Sequence, residues 1–176
     1  ESTAQLAFEA GDIHYTRVPM SSVENLKASP PANSIIEEYP SLFYVWVGMN
    51  VENELLSNQN LRKAIQHAID VPSIMQASYF GAAVPSTGII APGLVGHRSE
   101  SLVAPEANVA KAKEYLVASG LSGDIRVTLD ILNKTANVTT AQVIQANLAQ
   151  VGITLDINLH ESGAFWSLGD DTAGDR

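Results

Sequence analysis

Residues 60–93 constrain the fold most, because they predict two helices with a shared boundary followed by a long loop rich in proline and glycine. In residues 61–69 the apolar side chains recur at helical spacing and the polar ones cover the opposite face. Asp70 then offers a carboxylate to the free N–H groups of a new first turn, where Pro72 is tolerated. We expect Gly81 to adopt the left-handed conformation that ends this second helix. Asp70 is therefore interpreted as a helix cap rather than a catalytic residue.

A strand-helix-strand unit is predicted in the last third of the chain. Apolar and polar residues alternate in 125–131 and again in 153–159, which indicates strands that bury one face each. The helix between them presents Ala141, Ile144 and Leu148 on one side and ends at Gly152. A right-handed crossover of this kind places its two strands in parallel.

The remaining segments also predict alternating elements. We expect helices at 3–10, 21–28 and 109–119, and strands at 12–16, 34–39 and 42–49. Residues 42–47 are apolar at every position, which is typical of a central strand covered on both faces. The long loop at 82–93 exceeds ordinary connections, and loops of that length are usually functional or mobile.

Composition limits the classes of partner and of chemistry. A chain of 176 residues can bury roughly 70% of its unfolded surface, so we predict one domain over 1–176 with a flexible tail at 169–176. Ten basic and nineteen acidic residues give a net charge of −9, which argues against a nucleic-acid partner. Because the chain has no cysteine, disulfides and thiolate sites are excluded.

No catalytic constellation can be recognised in the sequence. His14, His67, His97 and His160 are widely separated and lack the spacing of a metal site. On a strand the neighbours Glu37 and Glu38 would point to opposite faces. We therefore expect no catalytic residues, no metal and no cofactor.

Several short motifs resemble one protein family. Arg62, Ala64, Ala68, Ile69 and Asp70 form the pattern R-x-A-x-x-x-A-I-D, which is similar to that of the family 5 extracellular solute-binding proteins, the receptors of peptide-type ABC importers. Similar motifs are AGDI at 10–13, MN at 49–50, NVAKAKEYL at 108–116 and IQANLAQVGI at 144–153. Together they cover nearly the whole chain in order. His14 and Asn108 stand where the family usually has Asp.

The resemblance implies an α/β fold, one lobe of a two-lobed periplasmic-binding-protein fold with a mixed sheet flanked by helices. The chain resembles most of the C-terminal lobe, and its start without an initiating Met suggests a piece of a longer protein. The implied function is capture of an extracytoplasmic solute, foremost a peptide, by closure of two lobes. The implied partners are the ligand, the membrane permease of an ABC importer and the missing N-terminal lobe. The implied location is periplasmic or extracytoplasmic, with a lipid anchor as one form of attachment.

Five residues form the predicted ligand-binding set. Ligands of parallel sheets lie beyond the carboxyl ends of the strands, which selects Asn133 in the loop 133–137 and the loop 160–169. In resembling oligopeptide receptors, the positions that match Ser162 and Trp166 contact the peptide. Tyr44 and Trp46 share one face of the predicted strand 42–49, as expected for a cleft wall. The alternative for Trp166 is packing in the core or between lobes, and for Tyr44 and Trp46 it is packing in the core.

Two other classes of function remain open. A sensor module would use the same lobe to signal to a membrane partner. A hydrolytic enzyme would require His14 or His160 beside a carboxylate in a pocket. The sequence does not select among peptides, sugars, nickel complexes, opines and glutathione as ligands.

Overall fold

The computed structural model describes residues 2–39 and 43–168 and divides the chain into two compact units, Glu1–Leu42 and Phe43–Arg176. The first unit contains helix α1 (Ser2–Glu9) and a 3-10 turn, Met20–Ser22, that leads into α2 (Val23–Ala28). The second contains α3 (Gln59–Ala68), α4 (Val71–Tyr79), α5 (Val109–Ala118), β1 (Ile125–Leu132), α6 (Thr135–Ala149), β2 (Ile153–His160) and α7 (Ser162–Ser167).

The predicted tail 169–176 lies outside the described residues, and the single-domain assignment stays a prediction. None of the described helices is long and apolar enough to cross a membrane.

The sheet of the second unit confirms the strand-helix-strand prediction. β1 and β2 pair in parallel, from Ile125 opposite Ile153 to Leu132 opposite His160. Helix α6 joins the two strands and packs on them. The alternate residues Ile125, Ile131 and Ile153 are buried, as the period of two predicts. The α/β class is confirmed.

One hydrophobic core holds α3, α5, α6 and the sheet together. Leu61, Leu148 and Ile153 are its largest fully buried side chains, and they come from α3, α6 and β2. Burying each of these side chains contributes about 2 to 3 kcal/mol relative to leaving it in water. All members of this core lie between Leu61 and Leu155, within the second unit.

Asp70 caps α4 as predicted and also ties the helix junction to a distant loop. Its Oδ2 accepts hydrogen bonds from the N–H (3.2 Å) and the hydroxyl of Ser73, and its Oδ1 accepts one from the N–H of Ala107 at 3.0 Å. The backbone N–H of Asp70 donates to Asn147 Oδ1 of α6 at 3.0 Å. One residue thus joins the start of α4 to the segment before α5 and to α6.

Asn58 links the ends of two antiparallel helices. Its Oδ1 accepts from the N–H groups of Asn60 and Leu61 and caps the start of α3. Its Nδ2 donates to the carbonyl of Ser119 at 2.9 Å, just beyond α5, and the side chain of Asn60 donates to the carbonyl of Ala118 at the same distance. These two side chains therefore satisfy unpaired N–H groups at the start of α3 and unpaired carbonyl groups at the end of α5.

The long segment between α4 and α5 has no helix or strand, as predicted for 82–93, but its own hydrogen bonds hold it together. The hydroxyl of Thr87 donates to the carbonyl of Arg98, and Nδ1 of His97 lies 2.8 Å from the carbonyl oxygen of Ile90. Gly81 has a positive φ of 76°, as predicted, and Phe80 shares this left-handed conformation with a φ of 52°.

Three strand predictions are wrong. Residues 12–16, 34–39 and 43–49 have no strand assignment, and Leu42 lies outside the described residues. A strand needs a neighbour to satisfy its backbone N–H and C=O groups, and the described sheet pairs only β1 with β2. The apolar run 43–47, predicted to be covered on both faces, is exposed, with Phe43 at 83% and Trp46 at 70%.

Two predicted loops are also partly helical. Thr135–Ala149 forms α6, so the predicted loop 133–137 shortens to Asn133 and Lys134 before the helix begins. Within the predicted loop 160–169, Ser162–Ser167 forms the short helix α7. In both cases the chain turns into a helix immediately after its strand, which places side chains at fixed positions beside the sheet edge.

Candidate ligand-binding site

The candidate site lies at the edge of the sheet where β1 and β2 end together. Because Leu132 is opposite His160, the next residues on each strand, Asn133 and Glu161, leave the sheet side by side. The N–H of Asn133 donates to the carbonyl of His160 at 2.9 Å, and its side-chain Nδ2 donates to Glu161 Oε1 at 3.1 Å. Asn133 therefore lies where β1 leaves the sheet, with its amide held by a carboxylate.

A second polar group lies on the two strands just before they end. Asp130 Oδ1 accepts a hydrogen bond from Asn158 Nδ2 at 3.2 Å and lies 2.6 Å from His160 Nε2. The His160 and Asp130 side chains are only 23% and 26% exposed. Hydrogen-bonded side chains that remain open to solvent are typical of the polar part of a ligand site.

Sequence reasoning did not assign Asp130, Asn158 or Glu161 to the site. Asp130 and His160 are 30 residues apart, and only the parallel register brings them together. A signal for Glu161 was present, since it directly follows a strand whose parallel partner ends in Asn133.

Helix α7, which carries Ser162 and Trp166, begins directly after this edge and contacts both strands. The rings of Phe165 and Trp166 meet edge to face, with centroids 5.1 Å apart and an interplanar angle of 82°. Phe165 is partly buried, whereas Trp166 is 66% exposed. Of the two aromatic residues, Trp166 is therefore the one with a ring face available to a ligand.

Tyr44 and Trp46 lie on the irregular, exposed segment 43–50 instead of the predicted strand. Tyr44 is 36% and Trp46 is 70% exposed. An added Cβ at Gly48 would collide with the Trp46 ring, so the ring lies folded over that glycine. Met49 then anchors the segment to the core. Within residues 43–168, no hydrogen bond or ring contact joins these two aromatic residues to Asn133, Ser162 or Trp166.

The His160 and Asp130 pair meets one of the two conditions set for a hydrolytic enzyme, a histidine beside a carboxylate. Serine hydrolysis also needs a hydroxyl bonded to the imidazole. Within residues 43–168, the ring of His160 bonds to Asp130 and to no hydroxyl group. The described residues likewise contain no cluster of three or more side chains suited to a metal ion.

A separate cleft of about 360 Å³ lies in the first unit. It is lined by Lys27, Pro30, Ser34, Ile36 and Glu38, and Lys27 and Glu38 form an ion pair. None of the five predicted ligand-binding residues lines this cleft. The geometry of the strand ends therefore remains the stronger candidate.

Comparison with known sequences identifies one family over almost the whole chain. The family described as bacterial extracellular solute-binding proteins, family 5 Middle, matches residues 1–175. The glutathione-binding protein GsiB of Shigella flexneri is 28% identical over 125 residues, which cover 70% of this chain and 24% of GsiB. The Escherichia coli K12 protein of the same name gives the same figures.

Solved structures agree with the sequence comparison. The periplasmic binding protein DppA of Helicobacter pylori, in complex with the peptide STSA, is 30% identical with a TM-score of 0.76, over 93% of this chain and 31% of DppA. The oligopeptide-binding protein AppA of Bacillus subtilis, in complex with a nonapeptide, is 25% identical with a TM-score of 0.75, over 94% of this chain and 35% of AppA. The chain thus spans about a third of these structures and about a quarter of GsiB.

Proposed function

Because the chain belongs to the bacterial extracellular solute-binding proteins of family 5, we propose that it is part of the peptide receptor of an ABC importer. Both solved relatives compared above hold peptides, which favours a peptide or peptide-like ligand. The proposed partners are the ligand, a second lobe and a membrane permease. The proposed location is extracytoplasmic, periplasmic or lipid-anchored at the cell surface.

The observation that carries this proposal is the set of side chains at the common end of β1 and β2. Asn133 and Glu161 supply an amide and a carboxylate, and α7 adds the hydroxyl of Ser162 and the exposed ring of Trp166. A peptide backbone offers N–H and C=O groups that such side chains can bind, while an aromatic face accepts varied side chains. Tyr44 and Trp46 remain in the proposed set as contacts from the segment before α3.

The proposed mechanism is closure of two lobes around the ligand, and no bond is made or broken. The ligand stabilises the closed form because it contacts both lobes only in that form. The family relatives are binding proteins rather than enzymes, which agrees with this mechanism. The 176-residue chain would supply one wall of the site and should therefore bind weakly alone.

Calorimetry on the full-length receptor and on this chain tests the proposal. We would titrate both with a tetrapeptide, a nonapeptide and glutathione. The full-length receptor should bind at least one peptide about 100-fold or more tightly than the chain, because each partner of a closed site contributes binding free energy. Equal affinity of the two proteins would contradict enclosure between lobes, and binding of neither peptide would contradict the ligand class.

Substitutions in the full-length receptor test the site itself. Trp166→Ala should weaken peptide binding by about tenfold, since it removes a large exposed contact surface. Asn133→Ala should weaken it by a smaller factor, through loss of one hydrogen bond. Val117→Ala is the matched control, because Val117 is 82% exposed on α5. Unchanged affinity in both site variants would remove the strand ends from the binding site.

A further inference from the structure

Positive charge is concentrated on two neighbouring helices of an otherwise acidic chain. Helices α3 and α5 carry four of the ten basic residues and one acidic residue, a net charge of +3 in a chain of net charge −9. The basic residues are Arg62, Lys63, Lys111 and Lys113. The two helices pack against each other and bring Lys63 and Lys111 to one tyrosine ring.

A stacked pair of rings organises this region. The rings of His67 and Tyr115 are 5.4 Å apart and nearly parallel, with an interplanar angle of 14°. The Nζ atoms of Lys63 and Lys111 lie 5.4 Å and 5.2 Å from the centroid of the Tyr115 ring. Because cation and ring attract, the Tyr115 ring holds both ammonium groups despite their like charge. We call the surface formed by Lys63, His67, Lys111 and Tyr115 the basic face.

The charge of the basic face is only partly neutralised within the protein. Lys111 pairs with Glu114 at 2.7 Å. In residues 2–39 and 43–168, Lys63 of the basic face has no carboxylate within ion-pair distance, whereas Lys27 and Arg126 each pair with two. Lys63 therefore remains able to bind an anionic group from another molecule, and Lys111 can exchange its exposed, weak pair with Glu114 for such a group.

We propose that the basic face is a docking surface for a carboxylate-rich segment of a partner protein. Charge complementarity selects an anionic partner, and Lys63 and Lys111, both held at the Tyr115 ring, can each bind a carboxylate of the same segment. A flat anionic membrane would also approach the acidic residues of the rest of the chain, which would repel its phosphates. A protruding acidic segment contacts the basic face alone, and acidic residues more than about 8 Å from it are screened at physiological salt. The proposal does not depend on the ligand site at the strand ends.

Nuclear magnetic resonance with a glutamate decapeptide tests the proposal on the 176-residue chain. In low-salt buffer the decapeptide should shift the amide signals of α3 and α5, while a glutamine decapeptide should not. The variant Lys63→Gln with Lys111→Gln should weaken binding by about five- to tenfold, as expected for the loss of two ion pairs. Tyr115→Leu should also weaken it although the net charge is unchanged, because the ammonium groups lose their common anchor.

A charge-matched variant, Arg98→Gln with Lys134→Gln, serves as the control and should change the affinity less than about twofold. Circular dichroism would establish that every variant is folded. Equal weakening in the two double variants, or shifts spread over the whole chain, would overturn the proposal. Binding to vesicles of phosphatidylglycerol and phosphatidylcholine, without binding to the glutamate decapeptide, would also overturn it in favour of a membrane surface.

Discussion

Asp70 shows how one side chain can fix the meeting point of several elements. Its carboxylate accepts hydrogen bonds from the hydroxyl and N–H of Ser73 and from the N–H of Ala107. These bonds favour the ionised form, the Ser73 hydroxyl first and the Ala107 N–H next, and they lower the pKa of Asp70 despite its partial burial. The residue thus serves both the start of α4 and the segment that leads into α5.

Asp70→Asn should destabilise the chain by about 1 kcal/mol near neutral pH. Asparagine keeps one acceptor for the cap but presents an N–H₂ group where a second acceptor is needed. Urea unfolding followed by circular dichroism measures the difference. Asp124→Asn, at an exposed carboxylate, is the control and should change the free energy of unfolding by less than about 0.5 kcal/mol.

The same variant should reveal a pH dependence of stability. Because the pKa of Asp70 is lower in the folded state, its carboxylate stabilises the protein above about pH 4, and this contribution is lost as the pH falls through the folded-state pKa. The difference between wild type and Asp70→Asn should therefore shrink between about pH 5 and pH 2.5. A difference that is constant over this range would show that the ionised carboxylate is not what stabilises the junction.

Asn58 allows the acceptor and donor halves of one amide to be tested separately. Asn58→Asp keeps the N-cap acceptor of α3 but loses the bond to the Ser119 carbonyl and places negative charge at the end of α5. We expect this variant to lower the free energy of unfolding by about 1 to 2 kcal/mol, although Asp is as good an N-cap as Asn. Equal stability of Asn58→Asp and wild type in urea unfolding would mean that the link to α5 contributes nothing.

Among the elements, those predicted correctly are specified by residues close in sequence. Helices α3 and α4, their boundary at Asp70 and the end of α4 near Gly81 follow from spacing and capping alone. The parallel pair β1 and β2 follows from alternation and from the connecting helix. Residues 43–47 have the same apolar character, yet a strand there requires a neighbouring chain segment that sequence spacing does not supply.

The candidate site could likewise be predicted only in part from the sequence. The position of Asn133 at the strand ends follows from parallel order alone, whereas Ser162 was chosen from the family resemblance and lies at the start of α7. The hydrogen bonds of Asp130 to Asn158 and His160 depend on the register of the two strands, and a shift of one residue would place these side chains on opposite faces. Register is set by the packed core and cannot be read from either strand separately.

Helix α6 is expected to stabilise the second unit mainly through its buried face. Leu148→Ala should cost about 2 to 5 kcal/mol, because Leu148 is 1% exposed and its removal leaves a cavity between α6 and the sheet. Val117→Ala removes a side chain that is 82% exposed and should cost less than about 0.5 kcal/mol. Chemical unfolding of the two variants side by side would measure this contrast, and similar losses would contradict the assigned core.

For the whole molecule, the position of the core predicts which part of the chain can fold alone. Every member of the hydrophobic core lies between Leu61 and Leu155. Deletion of residues 1–42 should therefore leave the cooperative thermal transition of residues 43–176 within a few degrees of its original temperature. Circular dichroism at 222 nm measures the transition. Loss of cooperativity after the deletion would show that the first unit contributes to the core.

The exposed run 43–47 has a consequence for how the chain behaves at high concentration. Phe43, Val45 and Trp46 are between 50% and 83% exposed, and the run contains no charge, glycine or proline to prevent it from pairing. Short apolar segments of this kind are templates for aggregation. Replacing Val45 by lysine would interrupt the segment without touching the core, and it offers a route to a more soluble chain for experiments in solution.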